Sequence, residues 1–387
     1  GDLITFNNND VRPSAYVGIR PALVAHNVRQ DTGIVVGSNP NANTAAPGTS
    51  VSYKWYAGDV SLAPASSSSF NLVATPVEFG GTNLMPSDPV KHGQKGLGGA
   101  LVVLPQGATW SETDYVQDNQ AGGAPVDCSK VTPATAAKNP RCRETRVSAT
   151  VNGTFRDFVA VIQKGMSHRY GDGEPVEQIA AEFSVAEDAE DSGEMAMNYR
   201  SDPLWFRFGL PPNTAFTGPN SFRTVSNAGD AYSNGLVGGD PSASVFTAKA
   251  GTEARIHLLE PTGANRAGVM TLHGHVWQRT PYVCPSSYLG IPGNCNPTGF
   301  YPTISGTAVT SAGSTGIGPM EVASRSIGDY GPSLYMGAQD QLQPASHFTI
   351  RLPKVGGTFA VPGDYLLMDR TGFGSLAGVW GILRATP

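Results

Sequence analysis

Turn residues divide this chain into short apolar runs, and this pattern constrains the fold more than any other feature of the sequence. Several runs alternate apolar with polar residues, as residues 51–55 do, which is typical of a strand with one buried face. The chain contains 47 Gly and 30 Pro residues, and only 15% of its 387 residues are charged. This balance favours many short strands joined by turns and disfavours long helices. The sequence therefore predicts an all-β fold.

Three sequence landmarks occur twice in the same order, which indicates an internal duplication. The paired segments are residues 1–6 and 251–256, residues 46–53 and 343–350, and residues 96–101 and 378–383. We therefore predict two related domains, residues 1–145 and residues 146–387. The polar runs 66–69 and 303–318 and the acidic stretch 172–194 are predicted to be loop insertions on this scaffold.

The charge of the chain is unevenly distributed. Nine carboxylates and no Lys or Arg lie between residues 172 and 194, and without them the formal charge of −5 becomes +4. The chain thus has neither a strongly basic surface suited to nucleic acid nor a uniformly acidic one. The acidic stretch is interpreted as a solvated loop, with a site for hard cations as the alternative.

The four cysteines form two close pairs in turn-rich segments, Cys128 with Cys142 and Cys284 with Cys295. Neither pair has zinc-ribbon spacing, so we predict two local disulfides and a secreted or cell-surface protein. The sequence opens on a strand-like segment, so we expect a leader or a longer N-terminal portion before Gly1. No apolar run has the length of a membrane span, and none is expected.

The strongest candidate for metal chemistry is the segment 270–277, which contains His273 and His275. If the segment is a strand, alternate residues share a face, and the two imidazoles point to one metal site. The alternative is that one imidazole packs and hydrogen-bonds to the backbone while the other is solvated. The isolated histidines His26, His168, His257 and His347 are interpreted as satisfied surface or edge-strand residues.

An ordered set of motifs in the second half resembles the multicopper oxidases. Leu272-His273-Gly274-His275 is followed by Pro362-Gly363-Asp364-Tyr365-Leu366-Leu367 and then by Gly378-Val379-Trp380-Gly381-Ile382-Leu383, in the order of that family. The first half adds segments 47–59 and 96–104, which look like the larger members related to ceruloplasmin. The resemblance implies two tandem cupredoxin-like Greek-key β-sandwiches and copper as the cofactor.

Carried over residue by residue, the resemblance also shows which copper ligands are replaced. It places His273 at a ligand of the trinuclear copper cluster and His275 at a position that is usually not a ligand. Gly268 stands where the type 1 copper histidine is expected, and Thr271 stands where another cluster histidine is expected. The position of the family's His-Cys-His motif is held by residues 368–370, with Asp369 in place of the cysteine.

The first half also lacks a cysteine at the corresponding place. There, His92 lies four residues before Gly96, where the family often has its last type 1 copper ligand. The chain has only seven histidines, too few for a complete set of oxidase coppers. A type 1 copper requires a thiolate, so the chain alone is not expected to reduce oxygen by the family's mechanism.

Two hypotheses for the function follow. The chain is part of an extracellular copper-dependent oxidoreductase whose remaining copper ligands lie outside it, or it is a non-catalytic subunit of an extracellular coat or filament derived from a multicopper oxidase. The expected partners are another cupredoxin segment or further copies of the same chain. An exposed strand edge can pair with a strand of a neighbouring chain, so this fold is compatible with assembly by strand addition.

Overall fold

The computed structural model describes a large part of the chain. The described residues are 2–7, 16–76, 79–89, 91–104, 107–112, 148–151, 155–166, 194–198, 245–263, 267–278, 335–371, 374–375 and 379–387. The four cysteines, the loop 303–318, His168 and all of the acidic stretch 172–194 except Glu194 lie outside these ranges. The predictions made for them therefore stay predictions.

Twenty-one strands cover most of the described residues. Those of the first half are β1 (Asp2–Asn7), β2 (Ile19–Pro21), β3 (Ala25–His26), β4 (Ser50–Tyr56), β5 (Gly58–Pro64), β6 (Phe70–Pro76), β7 (Gly80–Pro86), β8 (Gly99–Val103) and β9 (Trp110–Glu112). Two single turns of 3-10 helix, Asn41–Asn43 and Gly93–Lys95, are the helical segments in these ranges.

The remaining strands follow residue 147. They are β10 (Ser148–Val151), β11 (Phe155–Met166), β12 (Glu194–Met197), β13 (Val245–Lys249), β14 (Glu253–Thr262), β15 (Gly268–Leu272), β16 (Trp277–Gln278), β17 (Tyr335–Met336), β18 (Ala338–Leu342), β19 (His347–Leu352), β20 (Gly363–Asp369) and β21 (Trp380–Thr386). No helix in the described ranges is long and apolar enough to cross a membrane.

Two sheets of the second half enclose the larger hydrophobic core. One sheet has the order β19-β14-β11-β10-β9, with β12 also paired to β11, and the other has the order β13-β21-β20-β15-β18. Buried side chains from both sheets form one cluster, and the rings of Phe158 and Phe246 stack across it with centroids 4.9 Å apart. Alternate residues of each strand point into this core, so the two sheets form a β-sandwich.

Strand β14 is buried on both of its faces. Ile256 and Leu258 face the core, whereas the opposite face is covered by β7 of the first half. The first half has three smaller sheets, β1-β4-β3, β2-β7-β8 and β5-β6. A second core that contains Tyr53 and Trp55 lies among the first two of these sheets. Strand β7 therefore belongs to a sheet of the first half and also packs on the sandwich of the second.

The repeated landmarks lie on strands that pair in the same way in both halves. Strands β1 and β4 are antiparallel partners, as β14 and β19 are, and β8 pairs with β7 as β21 pairs with β20. The prediction of an all-β fold built from a sandwich is confirmed. The domain boundary at residue 145 stays a prediction, and β9, which precedes it, is part of the sheet of the second half.

Candidate metal centre

The predicted strand around the two candidate histidines ends before it reaches them. Strand β15 stops at Leu272, and the residues that follow form a turn in which Gly274 has a φ of +70°. The side chain of His273 is exposed, and that of His275 is buried. The expectation that both imidazoles share one strand face is therefore wrong, because the left-handed glycine between them reverses the chain direction. The arrangement is the stated alternative, in which one imidazole packs and hydrogen-bonds to the backbone while the other is exposed.

His275 uses both of its ring nitrogens in hydrogen bonds. Its Nε2 accepts hydrogen bonds from the backbone N–H groups of Gly356 (3.0 Å) and Gly357 (3.2 Å). Its Nδ1 donates to the carbonyl oxygen of His273 at 3.0 Å, which fixes the tautomer. Burial lowers the pKa of this imidazole below its ordinary value. These contacts tie the turn 273–275 to the loop 356–357, whereas His273 presents its side chain to the surface.

His92 lies at the contact between the two halves. It precedes the 3-10 helix Gly93–Lys95, which packs against the ends of β11 and β14. The side chain is buried, and its backbone N–H donates to the carbonyl of Asp88 at 3.0 Å. Within the described residues, no group of three or more His, Cys, Asp or Glu side chains is arranged to hold a metal ion. Metal binding by His273, His275 or His92 stays a prediction.

Two positions that the resemblance assigns to type 1 copper ligands do meet in space. A Cβ atom added to Gly268 would lie 2.5 Å from Oδ2 of Asp369 and 2.7 Å from Nζ of Lys164. Asp369 Oδ1 accepts hydrogen bonds from the backbone N–H groups of Val269 (2.9 Å) and Thr371 (2.9 Å) and from the Thr371 hydroxyl (2.6 Å). The carboxylate that replaces the cysteine is thus held in one orientation.

A buried ammonium group stands beside this carboxylate. Lys164 Nζ lies 3.3 Å from Glu260 Oε2 and 3.7 Å from Asp369 Oδ2, and it donates a hydrogen bond to the carbonyl of Leu342 at 3.2 Å. The side chains of Lys164, Glu260 and Asp369 are only 3%, 0% and 2% exposed. We call these three residues the ion cluster. Burial raises the pKa of Glu260 to about 7, with a further contribution from the charge of Asp369, while Lys164 opposes the shift.

A type 1 copper does not fit the ion cluster. That copper needs a thiolate and imidazoles, whereas the ion cluster offers carboxylates and already contains a positive charge. Gly268 has no side chain with which to bind a metal. The described residues thus contradict a sulfur-bound copper at this position on the chemistry of the donors present.

A second buried polar group links the two halves of the chain. Nε2 of His257 donates to Asp157 Oδ1 at 2.8 Å, and its Nδ1 accepts the backbone N–H of Gly81 at 3.1 Å. The hydroxyl of Thr349 lies 2.9 Å from the same Nδ1. We call Asp157, His257 and Thr349 the His257 cluster. A hydroxyl, an imidazole and a carboxylate in series can also act as a nucleophile and base.

The surroundings of the His257 cluster favour a structural role. A Cβ atom on Gly81 would lie 2.6 Å from the Cβ of His257, so β7 closes over the imidazole and leaves no space for a substrate. Close by, Asn83 Nδ2 donates to the carbonyl of Ser346 at 2.8 Å. These contacts attach β7 to β14 and β19. The prediction that His257 is a surface or edge-strand residue is wrong, because it lies on the covered face of a central strand.

The comparisons with known proteins add structural neighbours at low similarity. No protein-family model matches the sequence, and no curated protein sequence matches it. A multicopper oxidase structure is similar, with 12% identity and a TM-score of 0.42, over 99% of this chain and 74% of that one. A copper nitrite reductase from Nitrosomonas europaea has 11% identity and a TM-score of 0.43, over 100% of this chain and 80% of the other.

A laccase from Botrytis aclada is also similar to the chain. It has 13% identity and a TM-score of 0.42 over 99% of this chain, which spans 45% of the laccase. The descriptions of the multicopper oxidase and the nitrite reductase name copper. All three TM-scores are below 0.5, so these similarities assign no function to the chain.

Proposed function

We propose that this chain is a cupredoxin-like part of an extracellular copper-dependent oxidoreductase of the multicopper-oxidase kind. In this proposal the chain contributes one copper ligand, His273, to a site that residues outside the chain complete. The observation that carries the proposal is the division of roles between two neighbouring histidines. His275 is locked into the turn through both ring nitrogens, and His273 is left exposed at the surface.

The turn presents His273 in a defined position. Its backbone N–H donates to the carbonyl of Leu366 at 2.9 Å, and its own carbonyl accepts from His275 Nδ1. The ring of His275 in turn packs edge-on against Tyr365, with centroids 4.6 Å apart. An imidazole on a backbone fixed at two points loses less entropy on binding a metal than one on a free loop. This supports a ligand that is preorganised but needs further donors.

Copper binding by the purified chain tests the proposal. We expect Cu(II) to bind through a single imidazole, with nitrogen hyperfine structure in the electron paramagnetic resonance spectrum that is lost in His273→Ala. The matched control is His26→Ala, which removes another partly exposed histidine from the first half. Equal copper binding by wild type and His273→Ala would overturn the proposal. A blue absorption band from the chain alone would overturn it as well, because that band requires copper bound to cysteine.

A second candidate function, assembly without catalysis, is favoured by the hairpin β5–β6. Its strands pair with each other in a sheet of two, so both outer edges are unpaired among the described strands. One face is entirely apolar, and on it Leu62, Phe70 and Leu72 are 66%, 62% and 59% exposed. The members of this hairpin face are the cross-strand partners Val60 and Ala74, Leu62 and Leu72, and Pro64 and Phe70.

In this second proposal, the hairpin face binds the same face of another copy of the chain. The face carries no charged side chain, so nothing on it repels an identical surface, and natural strand edges that stay monomeric usually carry Lys or inward charges. Packing two such faces removes the exposed leucines and phenylalanine from water on both copies. A two-fold dimer of this kind is the simplest arrangement, since one patch serves both partners.

Sedimentation velocity over a range of protein concentrations tests the assembly proposal. We expect the wild type to form dimers as concentration rises and the variant Leu62→Lys/Leu72→Lys to remain monomeric. The control Ser61→Lys/Asn71→Lys adds the same charges to exposed residues on the opposite face and should dimerise like the wild type. A monomeric wild type at every concentration, or equal effects of both variants, would overturn it.

A further inference from the structure

We propose that the ammonium group of Lys164 takes the place of a metal cation inside the sandwich of the second half. The ion cluster is then a cation site that the chain fills with its own side chain. This inference goes beyond the function proposed above, because it concerns the interior of the sandwich and not the surface site at His273. It rests on the position, the donors and the space of the ion cluster.

The ion cluster joins the two sheets of the sandwich. Lys164 and Glu260 belong to β11 and β14 of one sheet, while Asp369 and the carbonyl of Leu342 belong to β20 and β18 of the other. An ammonium group has three protons, and three oxygen atoms from three strands surround it at 3.2 to 3.7 Å. A bound metal ion joins separate strands through oxygen ligands in the same manner.

Two glycines make the space for these buried charges. Gly268 lies directly against the Lys164 ammonium and the Asp369 carboxylate, so any side chain there would collide with both. A Cβ atom on Gly374 would lie 2.6 Å from Cγ of Asp369. With Val269 and Thr371 fixing Asp369 Oδ1, the site is built from backbone and side chains together. The packing thus leaves no room for a side chain at residue 268 or 374 beside the buried charges.

Where Glu260 is ionised, the charges also require a cation at this place. Two carboxylates are buried within reach of one ammonium, and Glu260 Oε1 has no hydrogen-bond partner among the described residues. Burying a carboxylate without a cation or hydrogen bonds is strongly unfavourable. Removal of the Lys164 charge should therefore leave a pair of carboxylates that binds an added divalent cation.

The experiment replaces Lys164 in the full chain and adds Mn²⁺, an ion suited to carboxylate and carbonyl oxygens. Lys164→Ala removes the charge and opens space beside the carboxylates. We expect its Tm to fall by roughly 10 °C and to recover on addition of Mn²⁺, with one Mn²⁺ bound per chain. Lys164→Met is the matched control: it also loses the charge but fills the space, so its Tm should fall without recovery in Mn²⁺.

Two further measurements keep the proposal falsifiable if Lys164→Ala does not fold. The Tm of the wild-type chain should be unchanged by a metal chelator, since the cation is part of the polypeptide. At a pH above the pKa of Glu260, where both carboxyl groups are ionised, Lys164→Met/Glu260→Gln also removes one of the two negative charges and should have a higher Tm than Lys164→Met. A wild-type Tm that falls on chelation, an equal Tm of these two variants, or a folded Lys164→Ala chain with no Mn²⁺ response would each overturn the proposal.

Discussion

Glu260 should make the sandwich of the second half less stable as pH rises, whereas most carboxylates in folded proteins make it more stable. Its pKa rises from 4.5 to about 7 on folding, so between these values the folded state retains a proton that the unfolded state has lost. The free energy of unfolding therefore decreases as pH rises from 4.5 to 7, by about 3 kcal/mol in total for this group, and it is regained on acidification.

Urea unfolding of the wild type and of Glu260→Gln between pH 5 and pH 8 measures this contribution. The wild type should lose stability relative to the variant as pH rises, because the amide does not titrate. Parallel pH profiles for the two proteins would contradict the assignment. The quantity to compare is the difference in the free energy of unfolding between the two proteins at each pH, because other titrating groups contribute equally to both.

At the scale of single residues, the sequence located the histidine segment and offered the observed division of roles as an alternative, but it did not show which histidine is buried. The pattern Leu272 to His275 reads as a continuing strand, and only the backbone conformation of Gly274 shows that the strand has ended. Lys164 and Glu260 gave no signal, because charged residues at the ends of apolar runs are usually solvated. Their partner Asp369 lies more than 100 residues away in the sequence, and no local pattern indicates that these side chains meet.

Among the elements, the contact of β7 with β14 is the one that a single methyl group should disrupt. In Gly81→Ala the added Cβ would lie 2.6 Å from the Cβ of His257, so β7 must move away and weaken the hydrogen bond from residue 81 to the imidazole. We expect a loss of roughly 1–3 kcal/mol in the free energy of unfolding.

The matched control for Gly81→Ala lies on the neighbouring strand β8. A Cβ atom on Gly99 would lie 3.8 Å from the side chain of Leu84, an ordinary van der Waals distance. Gly99→Ala should therefore keep the stability of the wild type. Chemical denaturation of the two variants compares them, and equal stabilities would show that β7 tolerates displacement from β14.

The strands themselves were largely predictable from the sequence, whereas the packing of β7 on the second face of β14 was not. Alternation along residues 51–55 correctly indicated β4. Nothing in β14 revealed that its second face is covered, because the covering strand comes from residues 80–86, far earlier in the chain. The position of His257 was misjudged for that reason.

On the scale of the whole molecule, the two cores differ in size, and this predicts unequal local stability. The core of the second half includes buried residues from both sheets, while the described core of the first half is a small cluster around Tyr53 and Trp55. Hydrogen exchange should therefore be faster in β4 than in β14, which is paired on both edges and covered on both faces. Equal protection of peptides covering residues 50–56 and 253–262 would contradict this prediction.

The all-β architecture was predictable because turn residues and alternation extend along the whole chain. The ordered motifs added a more specific expectation about copper, which the local chemistry changes at Asp369. The aspartate itself was read from the sequence, whereas its buried partners Lys164 and Glu260 depend on which side chains meet across two sheets, and sequence spacing does not provide this information. The overall architecture and the missing thiolate could thus be predicted from sequence patterns, while the partners of Asp369 could not.

The Lys164 ammonium group between the two sheets has one more consequence, which concerns how the protein obtains its buried cation. A lysine is delivered by the ribosome with every copy of the chain, whereas a transition metal must be acquired by the cell and handed over after synthesis. A sandwich that carries its own interior cation reaches its final shape even when copper is scarce. If His273 binds copper as proposed, starvation for the metal would then leave the architecture intact and affect only the proposed copper site at the surface.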